Sequence, residues 1–211
     1  MTNVTPADVW KEMVAGNERF IAGKPIHPRQ DVERRAEIAE SQTPRAALFG
    51  CSDSRLSAEI IFDLGLGDLF VVRNAGQVIS SSVLGSLEYA VEMLTVPLIL
   101  VLAHDSCGAV EAAVQKDAQP DLLFPPHVDD IVSDILPAVV RTREAAGISQ
   151  GERVDSAEAG IEHLRDTISS LLAQSELIGQ RIAEGKLAIV GANYRLAEGR
   201  VISDVVVGDI S

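Results

Sequence analysis

The spacing of hydrophobic positions changes several times along the chain, and each change predicts an element. Trp10, Met13, Val14, Phe20 and Ile21 recur at helical spacing, the stripe of an amphipathic helix. Thr5 can cap this helix, Pro6 suits its first position and Asp8 completes a box-like cap. Gly23, Pro25 and Pro28 then break the chain, and a polar helix over 31–41 ends before Pro44. The first helix lies well ahead of the first strand, so it is expected to pack on a neighbouring subunit.

Strands and helices alternate from there. Arg45 to Gly50 reads as an apolar strand ending at Cys51, Leu56 to Leu64 as a short helix, and Asp68 to Arg73 as a second strand. Val83, Leu87, Ala90, Val91 and Leu94 form one stripe of a helix over 78–94. Val96 to Ala103 is almost wholly apolar, as in a parallel strand covered on both faces. A helix opens at Cys107, and 117–126 is a Pro-containing loop. Residues 128–146 and 152–184 read as two long helices. Strands over 186–191 and 201–207 are joined through Glu198-Gly199, a hairpin-type turn. The fold class is therefore α/β. About four parallel strands and an antiparallel C-terminal edge strand are flanked by helices. One domain is expected over 1–211, with an N-terminal helical arm over 1–41 and a metal-binding core over 42–211.

Composition narrows the partners. Of 211 residues, 46% are hydrophobic, enough for one sizeable core. Acidic residues outnumber basic ones 31 to 18, a formal charge of −13, which disfavours a nucleic-acid partner. Residues 111–184 hold 14 acids against 6 bases, so those helices are expected to be a solvated surface that serves assembly. The longest apolar run, Leu98 to Ala103, is 6 residues, against about 20 needed to span a bilayer. The first residues carry no basic or apolar signal pattern. With only two cysteines, a reducing, cytoplasmic setting without membrane association is expected.

Those cysteines sit in matching places. One strand runs into Cys51-Ser52-Asp53-Ser54-Arg55, another into His104-Asp105-Ser106-Cys107-Gly108, and open parallel sheets place their sites at such C-terminal strand ends. Thiolate and imidazole donors suit zinc, and three protein ligands leave a fourth position for water. Cys51, His104 and Cys107 are thus candidate ligands of one Zn2+ per chain. Asp53 can accept a hydrogen bond from the bound water, with Arg55 keeping it ionised. Alternatively, Asp53 caps a helix, or turns onto the metal as a fourth ligand in a closed form. His27, His127 and His163 have no motif around them and read as ordinary surface or core residues.

These motifs closely resemble those of the β-class carbonic anhydrases of the bacterial type. So do Gly67-Asp68-Leu69-Phe70-Val71-Val72-Arg73-Asn74-Ala75-Gly76 and Gly85-Ser86-Leu87-Glu88-Tyr89-Ala90-Val91. The resemblance implies a carbonate dehydratase, a zinc lyase that reversibly hydrates carbon dioxide to bicarbonate and a proton by attack of zinc-bound hydroxide. It implies Cys51, His104 and Cys107 as ligands and Asp53 with Arg55 as the catalytic dyad. It makes Gln42, Phe70, Tyr89 and Gly108 the substrate-binding positions, Phe70 and Tyr89 being shared across a dimer interface in the family. A homodimer or homotetramer follows from the same resemblance. Some bacterial members carry a Trp three residues before the first Cys, part of a regulatory bicarbonate site; Leu48 stands there in this chain. The rival readings are a carbon disulfide or carbonyl sulfide hydrolase on the same scaffold, and a non-enzymatic zinc or thiol module.

Overall fold

Alternating side chains on continuous apolar strands cover both faces of a central sheet. The computed structural model describes residues 4–211. Met1, Thr2 and Asn3, which open the arm and the segment read for a targeting signal, lie outside the described residues. Helix α1 (Pro6–Ile21) and the short α2 (Val32–Glu37) lead into β1 (Ala46–Cys51), α3 (Ala58–Ile61) and β2 (Leu69–Asn74). A 3-10 turn (Ala75–Gln77), α4 (Ser81–Glu92), β3 (Leu98–His104) and α5 (Gly108–Ala118) follow. Helices α6 (Pro126–Ala145), α7 (Ser156–Gln174) and α8 (Glu176–Ala183) precede β4 (Ala188–Arg195) and β5 (Arg200–Val207).

The sheet order is β2-β1-β3-β4-β5. All neighbours are parallel except the β4–β5 pair, which is antiparallel, as the sequence pattern predicts. Leu48, Leu100 and Val190 project to one face, where they meet Val9 and Met13 of α1 and Phe62. Phe49, Val101 and Ile189 project to the other, against Leu87 of α4 and Leu164 and Ile168 of α7. Burying such side chains contributes about 1.5–3 kcal/mol each. The chain leaves β1 first to one side, for β2, and then to the other, for β3. The C-terminal ends of β1 and β3 therefore flank a topological switch point, where open sheets form their crevices.

Helix α1 rests on the core of its own chain through buried Val9 and Met13, with Trp10 and Phe20 partly buried against the same cluster, while Val14 stays exposed. Asn17 ties the helix to two distant segments. Its side-chain amide donates to the carbonyls of Ile61 (3.1 Å) and Gly199 (2.8 Å), and its Oδ1 accepts from Val201 N (2.9 Å). Gly16 permits the close approach; a Cβ there would lie 1.8 Å from the carbonyl oxygen of Phe62. The capping box is present, with Thr5 Oγ1 accepting from Asp8 N and Asp8 Oδ2 from Thr5 N, both at 3.1 Å.

Two helices are shorter than their patterns suggest. The helix after Cys51 stops at Ile61, and Asp63 turns left-handed with φ 46°. The long C-terminal helix divides at Ser175, whose Oγ caps α8 by accepting from Ile178 N at 3.3 Å and donates to Glu88 Oε1 at 2.6 Å. The acidic helices are only half solvated. Val132, Ile135 and Val139 of α6 and Ala159 of α7 pack in one cluster with Cys51 and Cys107. Arg141 of α6 pairs with Asp166 of α7 on the exposed side, whereas Arg143 of α6 makes a largely buried ion pair with Asp117 of α5. Among the described residues, no helix is long and apolar enough to cross a membrane.

Candidate metal centre

Cys51 ends β1 and His104 ends the adjacent β3. Asp105 and Ser106 then turn the chain, with Ser106 at φ 53°, and Cys107 sits immediately before α5. The tight turn brings Cys107 back beside His104. The donor atoms of Cys51, His104 and Cys107 all lie within 4.8 Å of one another, and all three residues are buried. The two sulfurs are 4.0 Å apart and both cysteines are free.

Hydrogen bonding prepares the donors. His104 Nδ1 lies 2.7 Å from the carbonyl oxygen of Asp105, an acceptor, so Nδ1 carries the proton. Nε2 is left as a buried lone pair with no hydrogen-bond partner. The hydrogen bond from the Cys107 thiol pulls Cys51 below the ordinary thiol range, with help from the Gly76 amide, although burial opposes it. The same bond, with burial and the charge on Cys51, pushes Cys107 up. One anion is accommodated readily between the sulfurs; a second requires a cation. The amides of Ala109 and Val110 favour that second thiolate. An orphaned imidazole nitrogen between two such sulfurs is a donor set that fits zinc with one position open.

Asp53 stands beside this set, held by Arg55. Arg55 Nε donates to Asp53 Oδ1 at 2.9 Å, Nη2 donates to Oδ2 at 2.7 Å, and the Arg55 amide donates to Oδ1 at 2.9 Å. These bonds hold the Asp53 carboxyl well below the usual carboxylate range. Arg73 supports the same loop from β2, its Nε donating to the carbonyl of Cys51 (2.9 Å) and its Nη2 to that of Asp53 (2.7 Å).

The remaining predicted positions divide. Gly108, the first residue of α5, adjoins the cluster, and the space where its Cβ would stand is empty. Gln42 is exposed and lies before β1, at the end of the strand opposite Cys51. Phe70 pairs with Ala47, whereas Asn74 pairs with Cys51. Phe70 is thus four strand residues, about 13 Å, from the ligand end of the sheet. It packs on Tyr89 of α4 with ring centroids 6.0 Å apart. A single chain does not bring Gln42, Phe70 and Tyr89 to its own ligand cluster.

Two contributors escaped the sequence reading. Gly76 N donates to Cys51 Sγ at 3.4 Å. His163, a core residue on α7, lies with Nε2 2.7 Å from the Gly76 carbonyl oxygen. The only local signal was a histidine on an apolar helical stripe.

A mostly parallel sheet with a buried Cys-His-Cys group at its switch point defines a metal-site α/β protein. The sequence profile of the family described as carbonic anhydrase matches residues 46–201, and the chain belongs to the β-carbonic anhydrase family, a family of enzymes. It is 51% identical over 211 residues to carbonic anhydrase 2 of Mycobacterium tuberculosis, covering 100% of this chain and 98% of that protein. The solved β-carbonic anhydrase CcaA superposes with a TM-score of 0.71 at 25% identity, covering 95% of this chain and 99% of that one. A tetrameric β-carbonic anhydrase from the filamentous ascomycete Sordaria macrospora shares the fold, with a TM-score of 0.70 at 22% identity over 93% of this chain and 96% of that one.

Proposed function

We propose that the protein reversibly hydrates carbon dioxide to bicarbonate and a proton, with one Zn2+ per chain held by Cys51, His104 and Cys107. The observation that carries this reading is the cluster of three buried donor atoms within 4.8 Å, with an ionised Asp53 held beside it by Arg55. When bound, Zn2+ supplies the Lewis acidity that lets water ionise near pH 7 (pKa about 7).

The chain's residues then set direction and access. Asp53 offers a carboxylate oxygen that accepts a hydrogen bond from the nucleophilic water and orients it. Arg55 keeps that carboxylate ionised and fixes its plane through a two-point fork. Gly108 leaves room for substrate at the start of α5, where the first helical amides have no intrahelical partner. Gln42, Phe70 and Tyr89 reach a pocket only across a subunit boundary, so the functional unit is a homodimer or a homotetramer built from such dimers. Exposed Val71 (37%), Tyr89 (46%) and Met93 (66%), around the free edge of the sheet at β2, supply an apolar face for that contact. We assign the arm and the core, 1–41 and 42–211, to this one catalytic domain, and its setting to the cytoplasm.

Carbon disulfide and carbonyl sulfide would meet the same donors. Assays of CO2 hydration and of sulfide release on one zinc-loaded sample separate the substrates. Hydration is expected to dominate; faster sulfide release would overturn the substrate assignment.

A further inference from the structure

Three helices meet behind the ligand cluster on one residue, Gly76. Its N–H donates to Cys51 Sγ at 3.4 Å, and its carbonyl lies 2.7 Å from His163 Nε2. Its backbone is left-handed, with φ 73° and ψ 11°. A Cβ there would come 2.8 Å from Ile135 Cδ1 of α6 and 2.9 Å from the Ala109 Cβ of α5. The turn is therefore wedged on one side by two apolar contacts and tied on the other by one hydrogen bond from α7.

His163 is not merely space-filling. It is only 3% exposed, and burial pushes its imidazole below the ordinary histidine range despite the charges of Asp166 and Asp134 and a Cys51 thiolate. A neutral ring has one proton, and a carbonyl partner requires that proton on Nε2. Nδ1 is then a buried lone pair with no partner. Leaving an acceptor orphaned in a core is unfavourable, whereas an apolar residue would fill the same space without that cost. The bond to Gly76 is what the histidine provides. Thr167, one turn further along α7, donates to the His163 carbonyl at 2.9 Å and fixes that part of the helix.

We propose that His163 is a positioning residue for the metal centre: by holding the Gly76 carbonyl, it keeps the Gly76 N–H on the Cys51 sulfur. An N–H directed at a ligating thiolate draws charge from the sulfur and tunes what it donates to the metal. His163 therefore acts on the centre from 87 residues beyond Gly76 in sequence without touching a ligand. The inference rests on the zinc reading above.

The test uses full-length protein. In the zinc-loaded wild type, 15N NMR is expected to show His163 protonated at Nε2 and the Gly76 amide protected from exchange. In H163L, Gly76 amide exchange is expected to accelerate about tenfold, the loss of one ordinary hydrogen bond. The sulfur-to-metal charge-transfer band of the cobalt-substituted form is expected to shift. H163Q, whose amide can donate from the same place, is expected to restore both. A wild-type His163 protonated at Nδ1, or an H163L protein with wild-type exchange and band, would overturn the proposal. If H163L does not fold, the wild-type tautomer and amide protection decide alone. A wild type that takes up no metal refutes the zinc reading itself, whereas one that loads zinc and shows either contrary result refutes only the role of His163.

Discussion

Arg55 holds Asp53 at both carboxylate oxygens, and the same Nη2 reaches the carbonyl of Ser106 at 3.2 Å. One side chain thereby ties the loop carrying Cys51 to the turn between His104 and Cys107. Asp53 lies outside the group of three donors, Cys51, His104 and Cys107, in this arrangement; its closure onto a metal would have to break the fork.

Removing the fork should separate catalysis from metal binding. R55A and D53N are each expected to retain one zinc per chain while CO2 hydration falls about 100-fold or more, the scale on which misplacing a reacting group costs rate. Metal analysis and stopped-flow hydration on the same preparations check this. Full activity in D53N at neutral pH would remove Asp53 from the dyad.

Assembly should be separable as well. Tyr89 is nearly half exposed on the face beside β2, and a charge placed there resists burial between subunits. Y89R is expected to sediment as a smaller species and to lose most activity while keeping its zinc. An active protein in the wild-type oligomeric state would contradict the shared pocket.

Acid stability should depend on Asp63. Burial works against its charge, but the amides of Ile26 and His27 and the Arg19 guanidinium more than offset it, so its carboxyl lies below the ordinary value of 3.8. A depressed carboxyl stabilises the folded state fully above its unfolded pKa and loses that contribution as pH falls through the folded one. D63N should therefore cost about 2 kcal/mol or more at pH 7, the range of hydrogen bonds to charged groups. Its deficit against wild type should shrink as pH falls below about 4. Denaturant midpoints of both proteins at pH 7 and pH 3 measure the difference.

What the sequence disclosed was local. Cys51, Asp53 and Arg55 lie within one pentapeptide and His104 and Cys107 within one turn, so their spacing alone suggests convergence. Strand polarity was equally legible, because Leu98 to Ala103 is apolar at every position. The supporting contacts were not. Gly76 and His163 are 87 residues apart, and neither lies in a pattern that names its partner. The division at Ser175 was hidden for a similar reason. Its hydroxyl caps α8 and reaches Glu88 on α4, and nothing in the surrounding helical periodicity signals that contact. The negative charge of residues 111–184 obscured their inner faces, where Ile135 and Ala159 pack in one cluster with Cys51 and Cys107.

Titrating metal-free protein with Zn2+ while following CO2 hydration by stopped flow tests the zinc-dependent function most directly. Activity should start at the uncatalysed rate, rise linearly and stop rising at one zinc per chain, with H104A gaining neither metal nor activity. Hydration by the metal-free protein, or a rise that ignores the zinc-to-chain ratio, would contradict a catalytic centre built on Cys51, His104 and Cys107.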